Sequence, residues 1–427
     1  MKKIATATSQ RAAQPELPGV AALDRSRGRS TLSPKRPSED TSGLADVFPY
    51  YAGFAYDWAR SLVAAQQLPA GAVVLDPWNG SGTTTLAAQH EGLNAIGIDR
   101  NPVANIVARL RIASFERHPS LTSSKGIPQG VSSAEGDPLA AWFDQKSIPR
   151  IRDWANHLPF LPPVESSLSY VALFRTVRAL TEDFEGSNPT WVKRAKSEDE
   201  LVSISASDFD SAVEREQEFL ACRIYESPEV TRGPVQLATA NSNALPLPAE
   251  SIDLVLTSPP YLTRIDYAVA YTRELALLGV DISKDRSLRS ALMGTTLIRG
   301  DAPIDFDMGS IAKLLISDVS SHASKASGGY YRKQAVQYLR DLLQGLDEVT
   351  RVTKPGGLLH LVVQDSYYKD VPVRLADICI EEAVLRGWSL VDSDPYPVRR
   401  TLTSLNKAAR KYKKSEVVET VVTLRKA

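Results

Sequence analysis

The apolar run Ile252-Asp253-Leu254-Val255-Leu256 leads straight into Thr257-Ser258-Pro259-Pro260-Tyr261, so a buried strand closes in a rigid, polar loop with an aromatic tip. Two consecutive prolines fix the backbone and delete two N–H donors, which leaves the neighbouring carbonyls to act as acceptors. With the Ser258 hydroxyl beside them and the flat ring of Tyr261 at the end, the loop suits a planar group that presents an amino edge. An ordinary Pro-Pro turn after a strand accounts for the prolines equally well, so the loop alone does not decide.

A second stretch carries more. Val73-Val74-Leu75-Asp76-Pro77-Trp78-Asn79-Gly80-Ser81-Gly82-Thr83-Thr84 is followed by a helix-like Thr85-Leu86-Ala87-Ala88-Gln89 and then by Asn94-Ala95-Ile96-Gly97-Ile98-Asp99. Strand, glycine-rich turn, helix, strand and acid is the layout of a nucleotide-binding βαβ half. Gly80 and Gly82 let the backbone pass close to a ligand, and Asp99 ends the second strand where a ribose diol would be held. The third glycine of a dinucleotide fingerprint is missing, and Asp76 would compete with a pyrophosphate for backbone donors. A cationic or zwitterionic nucleoside suits the turn better than an anion.

Together, D-P-W-N-G-S-G-T-T and T-S-P-P-Y resemble the amino-methyltransferases of DNA, which methylate N4 of cytosine or N6 of adenine with S-adenosylmethionine. The resemblance spans most of residues 46–425. It implies that Asp76, Gly80 and Gly82 shape the amino-acid end of the cofactor and that Asp99 binds its ribose. Pro77, Ser81, Thr83, Arg100 and Thr257 are implied as neighbours in the same cofactor site, with Phe48 and Tyr50 closing over the methionine portion. Asn241-Ser242-Asn243 departs from the family, which often has an aspartate near the adenine; Asn241 and Asn243 are the candidates there. Ser258, Pro259, Pro260 and Tyr261 are implied as the catalytic loop.

The implied chemistry needs no covalent enzyme intermediate and no metal. The Ser258 hydroxyl and the Pro259 carbonyl would accept the two amino protons, aim the nitrogen at the methyl group and stabilise its developing positive charge. Tyr261 would stack on the base, which must first be flipped from the duplex at a cost of roughly a few kcal/mol. In this family S-P-P-Y goes more often with cytosine N4 and D-P-P-Y with adenine N6, and both targets stay open.

The elements that must position these residues are those of an α/β fold: a doubly wound, Rossmann-like methyltransferase sheet, mostly parallel with an antiparallel last strand, plus an inserted subdomain. Strands are expected at 235–238, 358–363, 388–391 and 417–424 and helices at 338–352 and 374–386, with a turn at Lys354-Pro355-Gly356-Gly357. Residues 1–42 read as a mobile basic arm, 43–112 as the cofactor half, 113–232 as an inserted subdomain that touches substrate, and 233–427 as the catalytic half. A second insertion near 280–330 is expected as a loop over DNA.

Double-stranded DNA is the expected partner, together with a cognate restriction or defence protein. Asn188, Trp191, Lys193 and Arg194 are candidate DNA contacts. So is the acid-free run from Arg399 to Lys414, with Arg399, Arg400, Lys407, Arg410, Lys411, Lys413 and Lys414, although such a run also reads as a solvated loop. With 50 basic and 50 acidic residues the net charge is zero, which counts mildly against a nucleic-acid binder. No apolar run of about 18 residues and no secretory-type apolar segment occur, so a cytoplasmic protein without a membrane partner is expected. Cys222 and Cys379 are too few for a zinc cluster and are expected to be buried; His360, on an apolar strand, is expected as a core residue. Three rival readings remain: an RNA methyltransferase acting on a guanine amino group in tRNA, a nucleic-acid-binding protein on an inactive methyltransferase fold, and a nicotinamide oxidoreductase.

Overall fold

The computed structural model describes residues 32–37, 39–50, 53–113, 120–130, 135–186, 191–227, 232–262, 265–398 and 417–427. The strands are β1 (Val73–Asp76), β2 (Asn94–Asp99), β3 (Val235–Thr239), β4 (Ile252–Thr257), β5 (Thr353–Gln364), β6 (Ser366–Tyr368), β7 (Val371–Val373), β8 (Trp388–Pro397) and β9 (Val418–Lys426). The helices are α1 (Tyr56–Ala65), α2 (Thr83–His90), α3 (Pro102–Arg111), α4 (Ile148–His157), α5 (Pro163–Leu180), α6 (Ala206–Tyr225), α7 (Tyr267–Ala270), α8 (Thr272–Leu277), α9 (Ser287–Ala291), α10 (Ser310–Ser321), α11 (Arg332–Val352) and α12 (Leu375–Leu385).

Seven strands form one sheet in the order β3-β2-β1-β4-β5-β9-β8. The pairs from β3 through β5 are parallel, and β9 runs antiparallel to both β5 and β8. This is the doubly wound α/β sheet with one antiparallel strand, the last in sequence. β1 and β4 are almost wholly buried, as central parallel strands covered on both faces must be. One face packs on α1 and α2, with Trp58, Val63, Leu86 and Ala88 against Val74, Leu254 and Leu256. The other packs on α10, α11 and α12, where Leu339, Leu342, Leu346 and Val349 of α11 recur at helical spacing against Val255 and Leu359. Strand order reverses between β1 and β4, the place where an open α/β sheet leaves a crevice at its carboxyl ends.

Between α3 and β3 the chain builds α4, α5 and α6. Their core includes Trp142, Trp154, Phe174 and Phe209 and merges with the outer face of α3 through Val103, Val107 and Leu110. Two buried arginines fasten this layer to α8: Arg178 pairs with Glu274, and Arg152, itself paired with Asp137, donates to the carbonyls of Ala276 (2.8 Å) and Leu277 (3.0 Å). Arg178 also lies over the Phe48 ring at 4.6 Å.

Several local expectations differ from what forms. The segment at 354–357 is an irregularity inside β5, where pairing with β4 steps from Thr353 to Leu358 and Gly356 has φ +76°. β8 continues to Pro397 because β9 supplies a full antiparallel partner. The 280–330 stretch is not an open loop: α10 buries Ala312, Leu315, Ile316 and Val319 beneath α11 and α12. Cys379 is buried but Cys222 is exposed on α6, and His360 lies buried in β5, bonded through Nδ1 to the Thr423 hydroxyl at 3.0 Å. Among the described residues no helix is long and apolar enough to cross a membrane. Glu274→Ala would leave Arg178 buried without its counter-charge, and denaturant unfolding should show a loss of about 3–5 kcal/mol.

Candidate active site

β1 and β4 end side by side, with Leu75 opposite Val255, and a single carboxyl ties the two ends together. Asp76, 3% exposed, accepts from the Thr257 hydroxyl (2.6 Å), from the Thr84 hydroxyl at the start of α2 (2.7 Å) and from the Trp78 amide (3.1 Å). Burial pushes Asp76 up to about 6 although these three donors pull the other way. The carboxyl therefore points inward, as a fastener between strand ends, and does not face the cleft. Thr257 is spent on the same contact.

A cleft opens where β1, β2, β3 and β4 end. Of the residues singled out in the sequence, Tyr50, Pro77, Gly80, Asp99, Arg100, Asn241, Asn243, Ser258 and Pro260 line it. Both motifs thus reach one space. Asp99 accepts from the Gly80 amide (2.9 Å) and the Asn101 amide (2.8 Å), and burial raises it to about 6 against those bonds. Gly80 has φ +50°, and a methyl group there would sit 3.0 Å from the Tyr50 ring, so only glycine keeps this turn open. Tyr50 stacks on Tyr271 with centroids 4.8 Å apart, and burial raises its hydroxyl well above the usual range.

Other candidates hold the site from behind. Gly82, φ +84°, lies so close to Ala108 that an added methyl would meet its Cβ at 2.8 Å. Ser81 and Thr83 accept from the buried Arg111 guanidinium, which also reaches the Gly43 carbonyl. Phe48 is 2% exposed and packs on Phe174 and Tyr271 in the helical layer, away from the cleft wall. Pro259 is buried. Tyr261 is partly buried beside the α11 core, with its hydroxyl 3.1 Å from the Ser258 hydroxyl. Trp191, Lys193 and Arg194 are exposed on a strap held to the helical layer by Lys193 N–H to the Phe184 carbonyl and Ala195 N–H to the Ala141 carbonyl. Asn188, Arg399, Arg400 and Lys411 lie outside the described residues.

The cleft also takes Trp78, Ser242, Tyr267, Ala291, Leu292, Met293 and Asp341, which the sequence reading did not assign. Asp341 had a signal, an acid on the apolar stripe of α11 between Tyr338 and Gly345. That helix face is a wall of the site: the Tyr338 hydroxyl donates to the Pro260 carbonyl at 2.9 Å, and Gly345 leaves room for the Trp78 ring, which an added methyl would meet at 2.6 Å. Residues 291–293 come from an insertion whose route no local pattern reveals.

Gly80's open turn and the Asp99 carboxylate line the same space, and an acceptor beside close-approaching backbone is chemistry that the ribose hydroxyls of S-adenosylmethionine fit. Removing one donor from the buried Asp76 carboxyl tests the fastener: Thr257→Val should cost about 1–3 kcal/mol in denaturant unfolding.

The DNA methylase family model covering N6- and N4-type enzymes matches residues 33–107, the stretch that contains the glycine-rich turn and Asp99. The chain is 25% identical over 291 residues to the type II methyltransferase M.BsoBI of Geobacillus stearothermophilus, covering 58% of this chain and 55% of that protein. It is 23% identical over 289 residues to M.AvaI of Nostoc sp., covering 58% of this chain and 57% of that one. The chain thus spans little more than half the length of these relatives. A SAM-dependent methyltransferase from Methanosarcina mazei superposes with a TM-score of 0.32 at 8% identity, over 85% of this chain and 96% of that one, which adds nothing to the topology already described. The motifs and these comparisons agree: the chain carries the N6/N4-type DNA methylase match over residues 33–107 and is similar to type II DNA methyltransferases.

Proposed function

We propose that this protein is an S-adenosylmethionine-dependent DNA methyltransferase that modifies the exocyclic amino group of a flipped base, N4 of cytosine in preference to N6 of adenine. The observation that carries the reading is that Ser258 and Pro260 share one cleft with Gly80 and Asp99, so an acceptor-rich loop and a nucleoside cradle address the same space. When bound, the cofactor supplies an electrophilic methyl group on a sulfonium.

The chain's residues do the rest by position. Asp99, braced by two amides, holds the ribose hydroxyls, and Gly80 admits the backbone close to the ligand. Tyr338 occupies the Pro260 carbonyl, which leaves the Ser258 hydroxyl and the Pro259 carbonyl as acceptors for the two amino protons. Holding both protons draws the nitrogen lone pair out of the ring and stabilises the charge that develops as the methyl arrives. The Tyr261 hydroxyl orients Ser258. Trp191, Lys193 and Arg194, exposed on the helical insertion, are offered as contacts to the duplex, and the basic run from Arg399 as a further phosphate contact. By analogy with the type II relatives, we assign the enzyme to a restriction-modification setting in the cytoplasm, with a cognate restriction enzyme as its counterpart.

Two measurements test this. Ser258→Ala and Tyr261→Ala should each abolish transfer of labelled methyl to duplex DNA while cofactor affinity stays within about twofold. Mapping the modified base should find N4-methylcytosine; N6-methyladenine would select the alternative target, and transfer to RNA alone would overturn the reading. Ionised Asp99 is the stronger acceptor for the ribose hydroxyls, and burial raises its carboxyl to about 6, so cofactor affinity should fall as pH drops through that value. Calorimetric titration between about pH 5 and 8 should show this for the native protein and a uniformly weak affinity for Asp99→Asn.

A further inference from the structure

Beyond the two motifs, the cleft has an apolar side built by Leu292 and Met293, each 7% exposed, which follow directly on α9. This segment leans on the catalytic loop. Gly294, at φ +77°, would place a methyl group 3.4 Å from the Tyr261 carbonyl and 3.5 Å from Pro260 Cβ, so a left-handed glycine turns the chain right against that loop.

One carboxylate holds the segment there. Asp266, 8% exposed and five residues past Tyr261, receives four hydrogen bonds on a single oxygen: Arg289 Nε (2.9 Å), the Thr295 hydroxyl (3.2 Å), the Thr296 amide (3.2 Å) and the Thr296 hydroxyl (3.0 Å). Its other oxygen caps α7 through the Val269 amide. Farther along, the Tyr330 hydroxyl donates to the Thr296 carbonyl at 2.7 Å, and Gln337 of α11 brackets Leu297 and Arg299. Both flanks of Leu292-Met293 are therefore pinned to Asp266, through Arg289 on one side and Thr295 and Thr296 on the other, and the outgoing chain is held to α11 and the turn before it. A convergence of five donors on one nearly buried carboxylate is more than a surface loop needs to stay in place.

We propose that Leu292 and Met293 form the wall against which the extruded nucleobase rests, and that Asp266 is the positioning residue that sets this wall beside Pro260. The inference rests on the DNA methyltransferase reading and adds to it the base side of the cleft. The chemistry fits a planar heterocycle: a thioether and a branched alkyl group give a polarisable, apolar surface next to the acceptors that take the amino protons. Contacts on this wall offset the unstacking of the base.

The test uses the full chain and duplexes that carry the site methylated by the native protein. Met293→Ala and Asp266→Asn should each raise KM for DNA about tenfold or more, with cofactor affinity unchanged within about twofold. A duplex mispaired at the target, whose base costs less to extrude, should recover most of that loss, which a merely structural defect would not allow. Met293→Ala keeps the Asp266 cluster intact and serves where Asp266→Asn folds poorly. Weakened cofactor binding with an unchanged KM for DNA, or a loss that mispairing does not relieve, overturns the inference alone. Absence of methyl transfer to any DNA by the native protein overturns the reading of the site and the inference with it.

Discussion

The site depends on a carboxyl group buried behind the cleft. Asp76 ends β1 in a place almost closed to solvent, and burying it without donors would cost several kcal/mol. Thr84 and Thr257 supply those donors from the next helix and the neighbouring strand. Because one comes from each side, satisfying the carboxyl forces α2 to start and β4 to end at fixed points relative to β1. The open turn at Gly80 and the proline loop after Thr257 then leave from adjacent positions. The two threonines of the motifs are accounted for by this requirement, without assigning either to the substrate.

Around that fastener the protein builds three walls of unlike origin. The sheet ends give the floor. α11 gives one side with a single face, Tyr338 on the Pro260 carbonyl, Asp341 at the cleft and Gly345 under Trp78. The helical insertion gives indirect support, since its buried arginines grip α8, and the helices α7 and α8 follow the proline loop closely in the chain. Tyr50, sandwiched near Tyr267 and Tyr271, joins the segment before α1 to those helices, so the part of the chain that precedes the sheet is also fixed to the part that follows the proline loop.

Much of this was legible in the residues, for a physical reason. β1, β2 and β4 are short and largely buried, so they read as mainly apolar runs, and the acid at Asp99 falls at the spacing that a βαβ unit imposes. α11 shows its leucine stripe from Leu339 onward, yet it begins at Arg332, where the first turn is polar and carries no stripe. β8 runs through Asp392, Ser393, Asp394 and Pro395, residues that a central strand would reject and that an edge strand tolerates once β9 pairs with them. The direction of Asp76 was not legible at all. A strand-end acid looks the same whether it faces a ligand or turns inward, and what decides is a hydroxyl 181 residues away. The same holds for Leu292 and Met293, whose approach to the cleft is set by Asp266 and not by their own neighbours in sequence.

The antiparallel placement of β9 has an electrical consequence. Val398 N–H is bonded to the Val417 carbonyl at 2.9 Å, just beyond the Pro397–Val418 pairing, so the connection between β8 and β9 leaves and returns at the sheet edge that holds the cleft. That connection contains the seven cations from Arg399 to Lys414. The same connection holds one acid, Glu416, so with 50 positive and 50 negative side chains in all the remainder of the protein carries six more negative charges than positive ones. A chain that is neutral by count thus divides its charge unevenly along the sequence, and the cationic stretch is anchored at both of its ends, Val398 and Val417, at the cleft end of the sheet. Charge so divided is felt by a polyanion at a distance, and dissolved salt shortens that reach, so association with any polyanion depends on ionic strength more steeply than a net charge of zero implies.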